Sequence, residues 1–140
     1  MSHWKKSKMA LVSTVQVLKR ALINIVPDWE GHIQIDEGSG LTIVDMGGKA
    51  EGGVALKIKK NAPGCRWCDL GFRKASDGTW EMIVDPDGIP RELGGRNATN
   101  LITREVSAMR TKYNAEAQGH IVLEEKRQGK KIIQRILVKV

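Results

Sequence analysis

The stretch from Val54 to Val84 constrains the fold more than any other part of this chain. It reads VALKIKKNAPGCRWCDLGFRKASDGTWEMIV and holds three runs in which apolar and polar residues alternate. A period of two sends successive side chains to opposite faces of a strand. In the first run Val54, Leu56 and Ile58 fall on one face, with Lys57 and Lys59 on the other. In the second run, from Cys68 to Lys74, Cys68, Leu70 and Phe72 alternate with Asp69, Gly71 and Arg73. Trp80, Met82 and Val84 share a face of the third. Ser76-Asp77-Gly78 supplies a turn between the second and third runs. Three antiparallel neighbours are predicted, with one apolar slab and one wet face, and burial of that slab fixes their register.

Two segments have helical periodicity instead. Leu18, Leu22 and Ile25 recur at helical spacing, with Val15 and Ala21 beside them. Ser13 is placed to cap this helix with Gln16 at the reciprocal position, and Val12 and Val17 to staple it. Pro27 ends it. A second helix is predicted from Thr99 to Gln118, capped by Thr99 or Asn97. Its apolar stripe is Ile102, Val106, Met109 and Tyr113, extended by Ala117, and Gly119 suits the left-handed position beyond its end.

Further strands are expected near Ser7 to Val12, at His32 to Ile35 and at Leu41 to Met46. A terminal hairpin is expected from His120 to Glu125 and from Lys131 to Val140, turning at Gln128-Gly129. Ile132, Ile136, Val138 and Val140 fit one face of its last strand. The glycine-rich segment Gly47 to Gly53 is read as a flexible connection. It lacks the G-x-x-x-x-G-K-[ST] order of a phosphate-binding loop. The fold class that follows is α+β, mainly antiparallel sheet with two helices packed on one face, in a single domain spanning residues 1–140.

A chain of 140 residues is long enough to bury its own core. Lys and Arg outnumber Asp and Glu by 23 to 16, which favours an anionic partner such as nucleic acid or an acidic protein surface. The charge is unevenly spread. Residues 49–74 hold seven basic and two acidic side chains, whereas residues 77–92 hold five acidic and one basic. No apolar run approaches the roughly 20 residues of a membrane span, and no secretion signal is recognised. A cytoplasmic location without membrane association is expected.

Three stretches carry a family resemblance. They are the opening Met1-Ser2-His3, the segment Cys68-Asp69-Leu70-Gly71-Phe72-Arg73 with Asp77-Gly78-Thr79-Trp80-Glu81-Met82-Ile83-Val84, and Gly119-His120-Ile121-Val122-Leu123-Glu124-Glu125. They resemble the hypothetical chloroplast reading frame protein family of cyanobacteria and algal plastids, which has bacterial and phage relatives. The resemblance implies a small, soluble, non-secreted protein with an accessory role, its protein partner an AAA-type ATPase. It brings no catalytic residues. The family often has tryptophans where this chain has Asp85-Pro86-Asp87, and Cys65 and Cys68 are not part of its pattern.

Two groups of residues are candidates for chemistry. Cys65 and Cys68 can be ordinary thiols, half of a tetrahedral zinc site, or a redox pair. Zinc is the one cofactor the sequence brings into view. A basic group of Lys57, Lys59, Lys60, Arg66, Arg73 and Lys74 surrounds Trp67. Charge for phosphates and a ring for bases are the elements of a single-stranded nucleic-acid site. A solvated sheet face is the plainer alternative. Lys130, Lys131 and Arg135 extend this group only if the last strand is a neighbour. His3 has no nucleophile or acid assigned to it, and Asp85 and Asp87 read as turn residues before they read as cation ligands. Met46, Met82 and Met109 read as core fillers. The function expected first is a non-catalytic accessory or adaptor subunit, using the basic sheet face or an exposed edge strand. The alternatives are a nucleic-acid-binding module and a small zinc or redox protein.

Overall fold

The structure is a computed structural model that describes residues 4–45, 47–65, 67–85, 88–93, 95–128 and 131–138. In chain order the elements are β1 (Lys5–Val12), α1 (Val15–Ile25), β2 (Ile33–Ile35), β3 (Leu41–Val44), β4 (Ala50–Val54), β5 (Leu56–Ile58), β6 (Leu70–Lys74), β7 (Thr79–Val84), α2 (Ala98–Ala117), β8 (Ile121–Gln128) and β9 (Lys131–Leu137). Short 3-10 turns follow α1 at Pro27–Trp29 and precede α2 at Arg91–Leu93 and Gly95–Asn97. The α+β class holds: a mostly antiparallel sheet with two helices packed against it. No helix among the described residues is long and apolar enough to cross a membrane.

The main sheet has the order β1-β7-β6-β5-β2, with every neighbouring pair antiparallel. The three alternating runs lie side by side as expected. Leu56 pairs with Phe72, Phe72 with Met82, and Ile58 with Leu70. With Met9, Leu11, Trp80 and Val84 these residues form the apolar slab. Leu18, Ala21 and Leu22 of α1 and Ala98, Ile102 and Val106 of α2 cover it. Burying each large apolar side chain there contributes about 1.5–3 kcal/mol relative to leaving it in water.

The capping of α1 differs from the expectation. Thr14 is the N-cap, and its hydroxyl accepts the Val17 N–H at 3.2 Å. Ser13 is occupied elsewhere, because the Trp80 indole donates to both its hydroxyl and its carbonyl at 3.1 Å. Val12 is exposed and staples nothing. The stripe of α2 also ends early. Ile102 and Val106 are buried and Met109 is half-buried, but Tyr113 is 72 % exposed and Ala117 is exposed. The last turns of the helix run past the slab, and of residues 111–117 only Ala115 is buried.

A larger correction concerns residues 47 to 54. The segment read as a flexible connection contains β4, which pairs with β3 in a separate two-stranded sheet. Ala55 forms a bend between β4 and β5. The period of two therefore does not carry through, and Val54 faces away from Leu56 and Ile58. It joins Ile43 and Ile83 in a second, smaller core on the opposite face of the main sheet. Gly71 makes this packing possible. A Cβ there would stand 2.8 Å from Ile43 Cδ1 and 3.1 Å from Val54 Cγ1. The sheet face expected to be wet is thus partly roofed by the β3–β4 hairpin.

The terminal hairpin forms a third sheet, β8 with β9, seated on α2. It is not a neighbour of the main sheet, so Lys131 and Arg135 do not extend the basic group. Ile132 and Ile136 are half-buried on its inner face, whereas Val138 is exposed beyond the strand. Met82 is a core residue and Met109 packs at its margin. His3, Met46, Pro86, Asp87, Lys130 and Val140 lie outside the described residues.

Candidate functional site

The basic group seen in the sequence is divided by the strands. Lys59, Lys60 and Trp67 lie on the β5–β6 loop at one end of the main sheet. Arg73 and Lys74 lie at the far end of β6, and Lys57 in the middle of β5. Leu70 and Lys74 stand four strand steps apart, a run of about 13 Å. Arg66 lies outside the described residues.

Two members of the group are already engaged within the fold. Lys57 Nζ donates to the Thr42 carbonyl at 3.0 Å, tying β5 to the roofing hairpin. Arg73 Nη2 donates to Glu51 Oε1 at 3.1 Å and to the Gly52 carbonyl at 2.7 Å, and its other nitrogen lies 3.7 Å from Glu81. Lys6 reaches the same Glu51 oxygen at 2.8 Å. Hydrogen bonds from Lys6 and Arg73 hold the Glu51 carboxyl below the usual carboxylate range. Lys74 emerges on the helix side, its ammonium 5.7 Å from the Trp80 ring centre.

The β5–β6 loop is built to hold its shape. Asn61 takes a positive φ of 77° and donates to the Cys65 carbonyl at 2.8 Å. Cys65 in turn donates to Ala62, and Ala62 to Lys59, at 2.8 and 3.0 Å. The Trp29 indole donates to the Pro63 carbonyl at 2.6 Å from the turn after α1. Asp69 closes the loop. Its two carboxylate oxygens accept the Lys60 N–H at 2.7 Å and the Val44 N–H at 2.9 Å. That second bond, with Asp69 donating back to the Val44 carbonyl at 3.1 Å, sets the β3–β4 turn beside the loop. Asp45 shapes this turn by accepting the Gly47 and Lys49 amides at 2.9 and 2.8 Å. Lys49, Lys59 and Lys60 are exposed at this end, and Trp67 is 54 % exposed. Among the described residues none of these three lysines forms an ion pair. Lys49 was absent from the sequence-based group because its segment was read as a free linker. The signal for it was the Leu41–Val44 strand facing a second run that ends in Val54.

Cys65 and Cys68 are both buried inside this end of the molecule. Cys65 belongs to the main core. Burial, then the nearby Asp85, pushes the Cys68 thiol up to about 11, with Asp69 and Asp45 adding to the rise. A thiolate is the reactive and metal-binding form, and at about pH 8 only about one such thiol in a thousand would carry it. Among the described residues no group of three or more His, Cys, Asp or Glu is arranged to hold a metal ion. Both thiols are expected to resist iodoacetamide in the native protein at about pH 8 and to react fully after unfolding in urea. Rapid labelling of either cysteine in the folded state would contradict the assignment of both to packing.

Two further surfaces escaped the sequence reading. A cleft of about 1060 Å³ lies between α1, α2 and β8, bordered by Val17, Arg20, Met109 and Tyr113. At its β8 side the Glu105 carboxylate accepts both terminal nitrogens of Arg127, at 2.6 and 2.8 Å. The second surface is the outer face of the β8–β9 hairpin, where Ile121, Ile133 and Leu137 are 46, 46 and 48 % exposed. No family model, curated protein or solved structure matches this chain.

Proposed function

We propose that this chain is a non-catalytic binding module, an accessory or adaptor subunit that docks onto a protein partner through its terminal hairpin. The observation that carries this reading is the outer face of β8–β9. Ile121 pairs with Leu137 in the register, and Ile133 lies farther along the same face with Val138 exposed beyond the strand. Apolar residues grouped on an exposed face are the usual mark of a contact surface. Among the described residues the hairpin pairs with no third strand. Its edges therefore still offer backbone donors and acceptors, which can extend a partner's sheet. On this face the Glu124–Arg135 pair, 3.6 Å apart, lies between Ile121–Leu137 and Ile133, and Glu124 also reaches Lys126 at 3.3 Å, so charged residues punctuate the apolar patch.

The basic sheet face, first considered as the docking surface, supports the reading less well. It is roofed by β3–β4, and Lys57 and Arg73 are engaged beneath. The test compares native capture by the wild-type chain and by the Ile133→Glu/Leu137→Glu variant, with sedimentation of each alone. The expected result is one protein retained by the wild type and lost by the variant, at unchanged urea midpoint. The AAA-type ATPase suggested by resemblance is one identity the captured protein can have. Equal retention by both proteins, or none by either, would remove the hairpin as the docking surface.

A further inference from the structure

We infer that the loop end of the main sheet binds single-stranded nucleic acid, with Trp67 as the stacking platform and Lys49, Lys59 and Lys60 as the phosphate contacts. This surface is separate from the terminal hairpin and does not depend on it. Three observations converge here. The first is an exposed indole. A ring of that size normally seeks burial, and Trp29 and Trp80 of this same chain are fully buried. Trp67 instead stands at the surface on a loop whose backbone is held at both ends. The second is charge without internal partners. Lys6, Arg73 and Arg127 are spent on Glu51, Glu81 and Glu105, whereas the lysines at the loop end make no ion pair among the described residues. Three carboxylates at this end point inward. Asp45 and Asp69 accept backbone amides, and Asp85 is fully buried. The side presented to a ligand therefore carries the three lysines, with the exposed Asp28 and Glu30 on the flanking turn after α1.

The third observation is rigidity. The Trp29 bond to Pro63, the chain of backbone hydrogen bonds from Lys59 to Cys65 and the Asp69 clamp order residues 59–65 before any ligand arrives. Preorganisation removes part of the ordering cost of binding. Rings that stack on unpaired bases, beside cations that follow the phosphates, favour single strands over a duplex, whose bases are already stacked. An acidic protein segment would use the lysines but would leave the indole without its role.

Fluorescence anisotropy with labelled oligo(dT) and oligo(rU) of about 12 nucleotides tests the inference, with a matched duplex, heparin and poly-glutamate as comparisons. Single strands are expected to bind best, with affinity falling roughly 20-fold as salt rises from about 50 to about 200 mM for three phosphate contacts. Trp67→Ala is expected to weaken binding about tenfold, and Trp67→Phe much less. Lys49→Glu/Lys59→Glu/Lys60→Glu is expected to abolish it. Lys74→Glu at the far end and Ile133→Glu/Leu137→Glu on the hairpin should leave it within about twofold. A preference between the two oligonucleotides identifies RNA or DNA as the ligand, and either supports the site. The inference fails if no single strand binds at the lower salt. It also fails if heparin or poly-glutamate binds as tightly as oligo(dT) and Trp67→Ala changes nothing. Each altered residue is exposed, so an unchanged urea midpoint separates lost binding from lost folding.

Discussion

Replacing Trp29 with alanine is expected to destabilise the protein by about 4 kcal/mol. Trp29 is completely buried in the main core and is among the largest side chains there. It occupies the 3-10 turn that follows α1, between that helix and the β5–β6 loop. Truncation removes the indole's apolar contacts and opens a cavity that the surrounding sheet and helix cannot fully close. It also orphans the Pro63 carbonyl, which accepts the indole N–H at 2.6 Å. Trp29→Phe separates the two contributions. It retains most of the ring volume and loses the donor, so about 1–2 kcal/mol should be lost. Urea unfolding followed by circular dichroism gives both values. Amide exchange at Ala62 and Cys65 should accelerate in Trp29→Phe, because their bonds belong to the loop that Trp29 holds. A loss below about 1 kcal/mol in the alanine variant would mean that the turn after α1 is not packed as described.

That residue also shows what could be read from the chain and what could not. The strands β5, β6 and β7 were legible because a strand's period of two is written directly in alternation such as Leu70, Phe72 and Trp80, Met82, Val84. Leu18, Ala21 and Leu22 were legible through helical spacing for the same reason. Trp29 stands after Pro27, outside any periodic run, so nothing local marks it as a core residue. Val54 was misplaced because a single bend at Ala55 reverses the face of every residue before it. The basic group was overestimated because sequence gives charge and not pairing. Arg73 is neutralised by Glu51, twenty-two positions away on a strand concealed in a glycine-rich segment. Lys49 was missed for the converse reason, since its nearness to Trp67 depends on the Val44–Asp69 pairing. Glu105 did leave a signal. It lies three residues after Ile102 and four before Met109, on the apolar stripe of α2, where a carboxylate needs a partner from elsewhere.

That partner makes Arg127→Ala the second large effect, an expected loss of about 3 kcal/mol. The Glu105 side chain is 1 % exposed, whereas that of Arg127 is 45 % exposed. The guanidinium meets both carboxylate oxygens in a fork, which is the strongest geometry for such a pair. Hydrogen bonding to Glu105 accordingly holds the Arg127 guanidinium above its ordinary value. Removing the arginine takes from a nearly fully buried carboxylate its cation and both hydrogen bonds of the fork. The cost is therefore much greater than for the surface pairs at Lys8–Asp77 or Lys126–Glu124, which solvent screens. Replacing both partners in Glu105→Met/Arg127→Met should restore stability to within about 1 kcal/mol of the wild type, because no charge is then stranded. The pair also bolts β8 to α2, with the Gln134 amide donating to the Ala108 carbonyl at 3.0 Å as a second tie from β9. Amide exchange in Arg127→Ala should consequently rise more in β8 and β9 than in β5 to β7. If the single and double variants lose stability additively, or if the loss is spread evenly over the main sheet and the hairpin, the ion pair is not what fastens the terminal hairpin to the body of the protein.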